Sequence, residues 1–169
     1  GFGSKALPYP EQVAVAWASL SVGRPVTWTA TRGECHLTDH HGRDFHTRGE
    51  LALDEDGAFL AFRTEAVQNA GAHLVWATSP APNYAHLSSG AYRIPLVSGH
   101  LRAAFTNTAP VAPYRGAGRP EIIYLIERLV DRAAAALGVD PAALRRRNLV
   151  PPDAFPYETP TGATYDSGD

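Results

Sequence analysis

The chain predicts an α+β fold, a two-layer sandwich in which an antiparallel, hairpin-built sheet carries helices packed on one side. Three observations lead there. Phe45–Leu53 and Ala58–Asn69 alternate apolar and polar residues on either side of Asp54-Glu-Asp-Gly57, the pattern of two strands and their turn. Ile122, Leu125, Ile126, Leu129, Ala133 and Leu137 recur at three- and four-residue steps, which places them on one face of a helix over 121–137. Asp140-Pro141 opens a further helix over 141–147, an N-cap residue followed by Pro at the first helical position.

The elements follow in order. Gly1–Pro10 reads as a loop, since Pro8 and Pro10 oppose an early helix. A helix over 11–22 carries Val13, Ala16, Trp17 and Leu20 as its apolar stripe and stops at Gly23. Arg24–Thr31, with Val26, Thr27, Trp28 and Thr29, reads as a strand. Thr31–Gly42 is polar and is expected to be irregular. It holds His36, Asp39, His40 and His41, but adjacent histidines in a strand face opposite ways and no helical i,i+4 His pair occurs. That stretch therefore reads as a solvated loop, without protein ligands to a metal. The acidic run Asp54–Asp56 reads likewise as a solvated turn. After the hairpin, Asn69-Ala-Gly-Ala72 breaks the strand. His73, Trp76, Asn83, Tyr84 and His86 then suit either a pocket lining or packing beneath a loop. Gly90–Pro95 turns into a strand over 96–107. Residues 150–169 are Pro-rich and read as an extended strap leading to a next domain.

Composition narrows the function classes. At 169 residues with 44% hydrophobic residues, the chain can bury the core of one domain. A net charge of −2 gives no general reason to expect nucleic acid or an anionic membrane as partner. No apolar run approaches the ~18 residues of a membrane span. Cys35 is the single cysteine, so an intrachain disulfide is impossible. An iron–sulfur cluster needs several thiolates and must belong elsewhere. Cys35 itself reads as a small, half-buried hydrophobe. Arg145–Arg147 reads as a solvated or salt-bridged helix face.

The stretch richest in chemistry is Ala109-Pro-Val-Ala-Pro-Tyr-Arg-Gly-Ala-Gly-Arg-Pro-Glu121. It runs into the N-terminus of the long helix, where free N–H groups and the positive end of the dipole favour an anion. Arg115 and Arg119 add charge, and Gly116 and Gly118 would let a ligand approach the backbone. The alternative is a loop whose arginines only pair with local carboxylates.

Tyr114-Arg-Gly-Ala-Gly-Arg-Pro-Glu121 resembles the active-site loop of the large, molybdenum-binding subunit of the xanthine dehydrogenase / aldehyde oxidase / carbon monoxide dehydrogenase family. Gly1-Phe-Gly3, Gly23-Arg-Pro-Val26, Gly90-Ala-Tyr-Arg-Ile-Pro95, Arg145-Arg-Arg-Asn-Leu149 and Tyr165-Asp-Ser-Gly-Asp169 are similar to other family motifs, in the family's order. The resemblance spans essentially the whole chain. The first residue falls inside one motif and the last closes another, so residues 1–169 are expected to be a single molybdopterin-binding-type domain or fragment of a larger subunit.

The resemblance implies a molybdenum hydroxylase. Such enzymes oxidise aldehydes, N-heterocycles or carbon monoxide with water-derived oxygen, at molybdenum held by molybdopterin, alone or as a dinucleotide. Electrons leave through iron–sulfur clusters and FAD, expected on partner subunits. The implied assembly is a cytoplasmic dimer of heterotrimers, with no nucleic acid and no transmembrane segment. Carried over by position, Phe2, Gly3, Arg115, Gly116, Ala117 and Gly118 would contact the cofactor, and Arg115 would act electrostatically in catalysis. The glutamate base is expected outside this chain.

The departures bear on substrate. Copper-bridged carbon monoxide oxidisers carry a cysteine directly after the loop arginine, where this chain has Gly116; a cuprous site needs a soft thiolate. Purine oxidisers carry a bulky aromatic where this chain has Ala117 and a glutamate where it has Ala6. Their substrate-binding arginine aligns with the Asn83 region. An aldehyde or N-heterocycle hydroxylase is the reading that remains. Rival readings are a non-catalytic anion- or nucleotide-binding module and a structural domain that has lost the cofactor.

Overall fold

The computed structural model describes residues 3–75 and 80–168. Phe2, the start of the Gly1-Phe-Gly3 motif, Trp76 and the closing Asp169 lie outside the described residues. The fold is α+β. Its frame is a three-stranded sheet in the order β1-β2-β3, made of β1 (Phe45–Leu53), β2 (Phe59–Gly71) and β3 (Leu96–Phe105). The helices are α1 (Pro10–Val22), α2 (Arg32–Thr38), α3 (Ala81–His86), α4 (Arg119–Leu137) and α5 (Pro141–Asn148). A short hairpin of β4 (Tyr157–Glu158) and β5 (Thr164–Tyr165) follows.

The β1–β2 hairpin forms where the alternation places it. Asp54 shapes its turn: its Oδ1 accepts from the amides of Asp56 at 3.0 Å and Ala58 at 2.8 Å. A bulge between Ala52 and Leu53 pairs Leu53 with Phe59 but Ala52 with Ala61. The extra residue, Leu60, shifts the side-chain parity, so Phe59 and Phe62 both point inward while Leu60 is exposed. From Phe62 onward Thr64, Ala66, Gln68 and Ala70 continue the buried face, Gly71 is also buried, and the opposite face carries Arg63 and Glu65.

The sheet is mixed rather than purely antiparallel. β3 runs parallel to β2, from Ala61 beside Leu96 to Gly71 beside Phe105. A parallel neighbour requires a crossover rather than a tight turn. The chain between β2 and β3 supplies one through α3, an element too short and Pro-interrupted to show helical periodicity in the sequence.

Three other expectations change. Arg24–Thr31 forms no strand and has no ladder partner among the described residues; β propensity alone makes no strand without a free edge beside it. Arg32–Thr38, expected to be irregular, is helix α2. It is opened by a capping box in which Thr31 Oγ1 accepts from the Glu34 amide at 3.3 Å and Glu34 Oε2 accepts from the Thr31 amide at 2.7 Å. The Thr-x-x-Glu spacing was its sequence signal. Helix α1 forms as expected but buries no residue, and Trp17 of its apolar stripe is 70% exposed. It is therefore not one of the helices packed on the sheet.

The core lies between the sheet and α3, α4 and α5. Ile122, Ile126, Val130 and Ala134, one face of α4, meet Phe59, Phe62, Ala66, Tyr84, Tyr92, Ile94 and Leu144. Asn148 joins α5 to the hairpin turn. Its Oδ1 accepts from the Phe59 amide at 2.8 Å, and its Nδ2 donates to the Gly57 and Leu144 carbonyls at 2.9 Å each. Arg145 pairs with Glu127 at 2.7 Å and Asp131 at 2.8 Å, so the first of the three arginines belongs to a salt-bridged helix face. The segment after α5 is fastened to the body: Thr161 donates to the His86 carbonyl and Tyr165 to the Gly90 carbonyl, each at 2.7 Å.

Candidate functional site

The loop before α4 is built from three separated segments. Residues 40–42 run beside residues 110–112: His41 donates its amide to the Pro110 carbonyl at 2.9 Å, and Ala112 returns one to the His41 carbonyl at 2.8 Å. His40 links this strip to the N-terminal segment. Its ring stacks on Tyr9 at 4.3 Å between centroids, and its Nδ1 lies 3.2 Å from the Ser4 carbonyl. Its amide donates to the Tyr9 hydroxyl at 3.2 Å. Gly3 ends beside the loop: a β-carbon there would lie 3.0 Å from the Pro113 carbonyl oxygen. The structure thus brings Gly3 and the Arg115 loop together.

The loop itself is a tight turn. Ala117 donates its amide to the Tyr114 carbonyl at 2.7 Å, and Arg119 to the Gly116 carbonyl at 3.1 Å. Three consecutive residues have positive φ: Gly116 at 93°, Ala117 at 43° and Gly118 at 96°. The glycines serve the turn rather than keeping room for a ligand. A β-carbon on Gly116 would lie 2.5 Å from Pro120 Cγ, and one on Gly118 would run into the Pro80 carbonyl. Their φ values are also ones that side chains resist. Among the described residues the amides of Gly116 and Gly118 make no hydrogen bond; Gly116 is half-buried, whereas Gly118 is buried against the start of α3.

The two arginines part company. Arg119 Nη1 turns back to the Gly116 carbonyl at 3.4 Å. The Arg115 side chain is exposed and makes no hydrogen bond or ion pair among the described residues. The local carboxylate is taken by a residue that motif reading passes over. Arg43 Nη1 lies 3.2 Å from Glu121 Oε1, and Arg43 Nη2 donates to the Arg115 carbonyl at 2.7 Å. Its guanidinium also sits 5.1 Å from the centre of the Tyr114 ring. Arg43 lies in a polar stretch with no periodicity, and its partners are more than 70 positions away.

Of the pocket candidates, Asn83 reaches the loop, its Nδ2 donating to the Ala117 carbonyl at 3.0 Å. Tyr84 is instead buried in the core, 2.8 Å from Thr64 Oγ1 and stacked on Phe45. Burial pushes its hydroxyl pKa up. Tyr84 and His86 both line a cavity of about 340 Å³ with His100 and Thr161, and His73 lines another with Tyr9 and His40. Beside the loop, a cavity of about 550 Å³ is lined by Arg119, Ile123, Phe155 and Tyr165. Cys35 is half-buried on α2. No group of three or more His, Cys, Asp or Glu among the described residues is placed to hold a metal ion. No helix among them is long and apolar enough to cross a membrane.

A guanidinium that is unpaired among the described residues, beside the half-buried Gly116 amide at a helix N-terminus, suits an anionic group. Comparison with known proteins shows the family. Residues 1–149 match the family model of the molybdopterin cofactor-binding domain. The chain is 40% identical, over its whole length, to 22% of the carbon monoxide dehydrogenase large chain of Hydrogenophaga pseudoflava. It is 37% identical, over 92% of its length, to 20% of the 6-hydroxypseudooxynicotine dehydrogenase complex subunit gamma of Paenarthrobacter nicotinovorans. Its fold superposes on the crystal structure of quinoline 2-oxidoreductase from Pseudomonas putida 86 with a TM-score of 0.92. That match has 36% identity and covers 98% of this chain and 22% of that one. The chain thus spans about a fifth of the length of these relatives. With the ordered motifs, the loop geometry and the matched fold in agreement, the chain belongs to the molybdopterin cofactor-binding domain family.

Proposed function

We propose that this chain forms part of a molybdenum hydroxylase that oxidises an aldehyde or N-heterocycle with water-derived oxygen. The observation that carries the reading is the Arg115 loop: an exposed guanidinium without a partner among the described residues, beside the half-buried Gly116, whose amide has no acceptor among them. When bound, the molybdopterin cofactor supplies the redox chemistry, and the protein binds and orients it.

In this reading Gly116 and Gly118 offer main-chain donors to the cofactor, and Ala117 between them presents a small side chain toward it. Gly3 approaches from the N-terminal segment, and Phe2 is assigned to the cofactor on its motif alone. Arg115 is the electrostatic catalytic residue, its fixed positive charge favouring negative charge that develops on the substrate. The glutamate base, the iron–sulfur clusters and FAD lie outside this chain, the last two on partner subunits. We place the assembly in the cytoplasm as a dimer of heterotrimers. Residues 150–169 lead to the next domain.

For substrate, Gly116 provides no thiolate for copper, which disfavours carbon monoxide despite the similarity to that enzyme's large chain. Two of the relatives carry N-heterocyclic compounds in their names, quinoline and hydroxypseudooxynicotine, which supports the heterocycle half of the proposal.

The test is molybdenum content by mass spectrometry and oxidised-pterin fluorescence, measured on the intact protein containing this chain. Near-stoichiometric metal and pterin are expected, followed by turnover of an aldehyde or N-heterocycle. A folded protein from a cofactor-producing host that contains neither would leave an anion-binding or structural module instead.

A further inference from the structure

Among the described residues the Arg115 guanidinium has no partner, and the carboxylate of Glu121 is met by another arginine, Arg43. Glu121, two residues into α4, has a side chain only 9% exposed. Its Oε1 meets Arg43, and its Oε2 is buried with no hydrogen-bond partner among the described residues. A buried carboxylate lacking its cation is strongly disfavoured. In this loop the nearest alternative cations, Arg115 and Arg119, would be the ones drawn to it.

Arg43 is also held in an unusual way. It and Asp44 are consecutive non-glycine residues with positive φ, 69° and 63°. Such backbone conformations persist only where the surroundings fix them. Here Asn69 fixes Asp44 twice, its amide donating to the Asp44 carbonyl at 3.0 Å and its Nδ2 to Asp44 Oδ2 at 2.7 Å. The strained pair aims Arg43 at three features of the loop: the Arg115 carbonyl, the Glu121 carboxylate and the Tyr114 ring.

We propose that Arg43 is a positioning residue for the cofactor loop: it fixes the Arg115 main chain and neutralises Glu121, leaving the Arg115 guanidinium free for the cofactor. The proposal rests on the reading of that loop as the cofactor site. A guanidinium suits this place because its two Nη atoms, fixed in one plane, reach the carboxylate and the carbonyl from separate positions, whereas an ammonium presents a single nitrogen without that fork.

The experiment compares wild type, Arg43→Lys, Arg43→Met and Arg43→Met/Glu121→Gln in the intact protein. Arg145→Met is the control, since its ion pairs lie further along α4. Each is measured for molybdenum and pterin content, the electron paramagnetic resonance signal of Mo(V), kcat and thermal unfolding. Arg43→Met is expected to fold, to hold severalfold less cofactor and to show a displaced Mo(V) signal. The kcat of its loaded fraction is expected to fall by about 10- to 100-fold, the range for lost outer-shell partners. Arg43→Lys should lie between, and Glu121→Gln should restore part of the cofactor content by removing the stranded charge.

A fully loaded Arg43→Met with an unchanged Mo(V) signal overturns the proposal. So does an Arg145→Met variant of equal thermal loss that sheds as much cofactor, and so does a double variant no better loaded than Arg43→Met. If Arg43→Met does not fold, Arg43→Lys decides by the same content and signal. A wild type with neither metal nor pterin overturns the functional reading, and this proposal with it. A loaded wild type beside an equally loaded, unchanged Arg43→Met overturns this proposal alone.

Discussion

The Asn83 side-chain amide donates to the carbonyl of Ala117 across 3.0 Å, tying the first turn of α3 to the middle of the candidate cofactor loop. Ala117 is the loop's one non-glycine residue at positive φ, at 43°. Its peptide is thus held from α3 while the Arg115 peptide is held from Arg43.

Asn83→Asp should disturb this loop more than Asn83→Ala. The alanine loses one hydrogen bond, about 1 kcal/mol, whereas the aspartate sets a carboxylate oxygen against a carbonyl. Cofactor content of the intact protein, read with its thermal unfolding, checks the order of the two.

Gly118→Ala should destabilise the chain by about 1–3 kcal/mol and loosen the loop. The added carbon runs into the Pro80 carbonyl, and the φ of 96° is one that alanine resists. Urea unfolding gives the loss. An alanine variant as stable as wild type would mean the loop can shift away from α3 freely.

Tyr84→Phe strands the buried Thr64 hydroxyl, which shares a 2.8 Å hydrogen bond with Tyr84. The expected loss is about 1–3 kcal/mol, and Thr64→Val in the same background should recover part of it, because two apolar partners leave nothing unsatisfied. A double-mutant cycle in urea measures the coupling.

Stability should fall at alkaline pH. Burial raises the hydroxyl pKa of both Tyr84 and Tyr92, and for Tyr92 the hydrogen bond to Glu127 raises it further. The folded tyrosines therefore keep their protons where unfolded ones, near pKa ~10, lose them. Their stabilising contribution is complete below that pH and is lost as pH rises past it. Urea midpoints compared between about pH 9 and pH 11 should drop, with a shallower slope in Tyr92→Phe.

Asn148→Ala should cost at least as much as any of these, about 2–3 kcal/mol, since it strands the buried Phe59 amide and the Gly57 carbonyl together. The motif Arg145-Arg-Arg-Asn-Leu149 thus has a structural use: Arg145 bridges α5 to α4, and Asn148 bridges α5 to the hairpin turn.

What the sequence determined by itself was local. Side-chain period placed β1, β2 and α4; an N-cap with Pro placed α5; the ordered motifs placed the Arg115 loop and the family. Each element or motif is read from residues close together in the chain, where backbone preference and amphipathic spacing act directly, and only the order of the motifs runs its whole length. Tertiary structure decided what depends on neighbours distant in the chain. The parallel pairing of β3 depends on a crossover whose helix is too short to carry a period. Among the described residues, Arg24–Thr31 has strand-forming residues but no edge to pair with, and the α1 stripe has helical spacing but no partner face. The roles of the two loop glycines, set by Pro120 and Pro80, followed from close approach in space. Above all, the pairing of Glu121 with Arg43 rather than with Arg115 or Arg119 turned on a strained backbone at Arg43 and Asp44, which no spacing in the sequence announces.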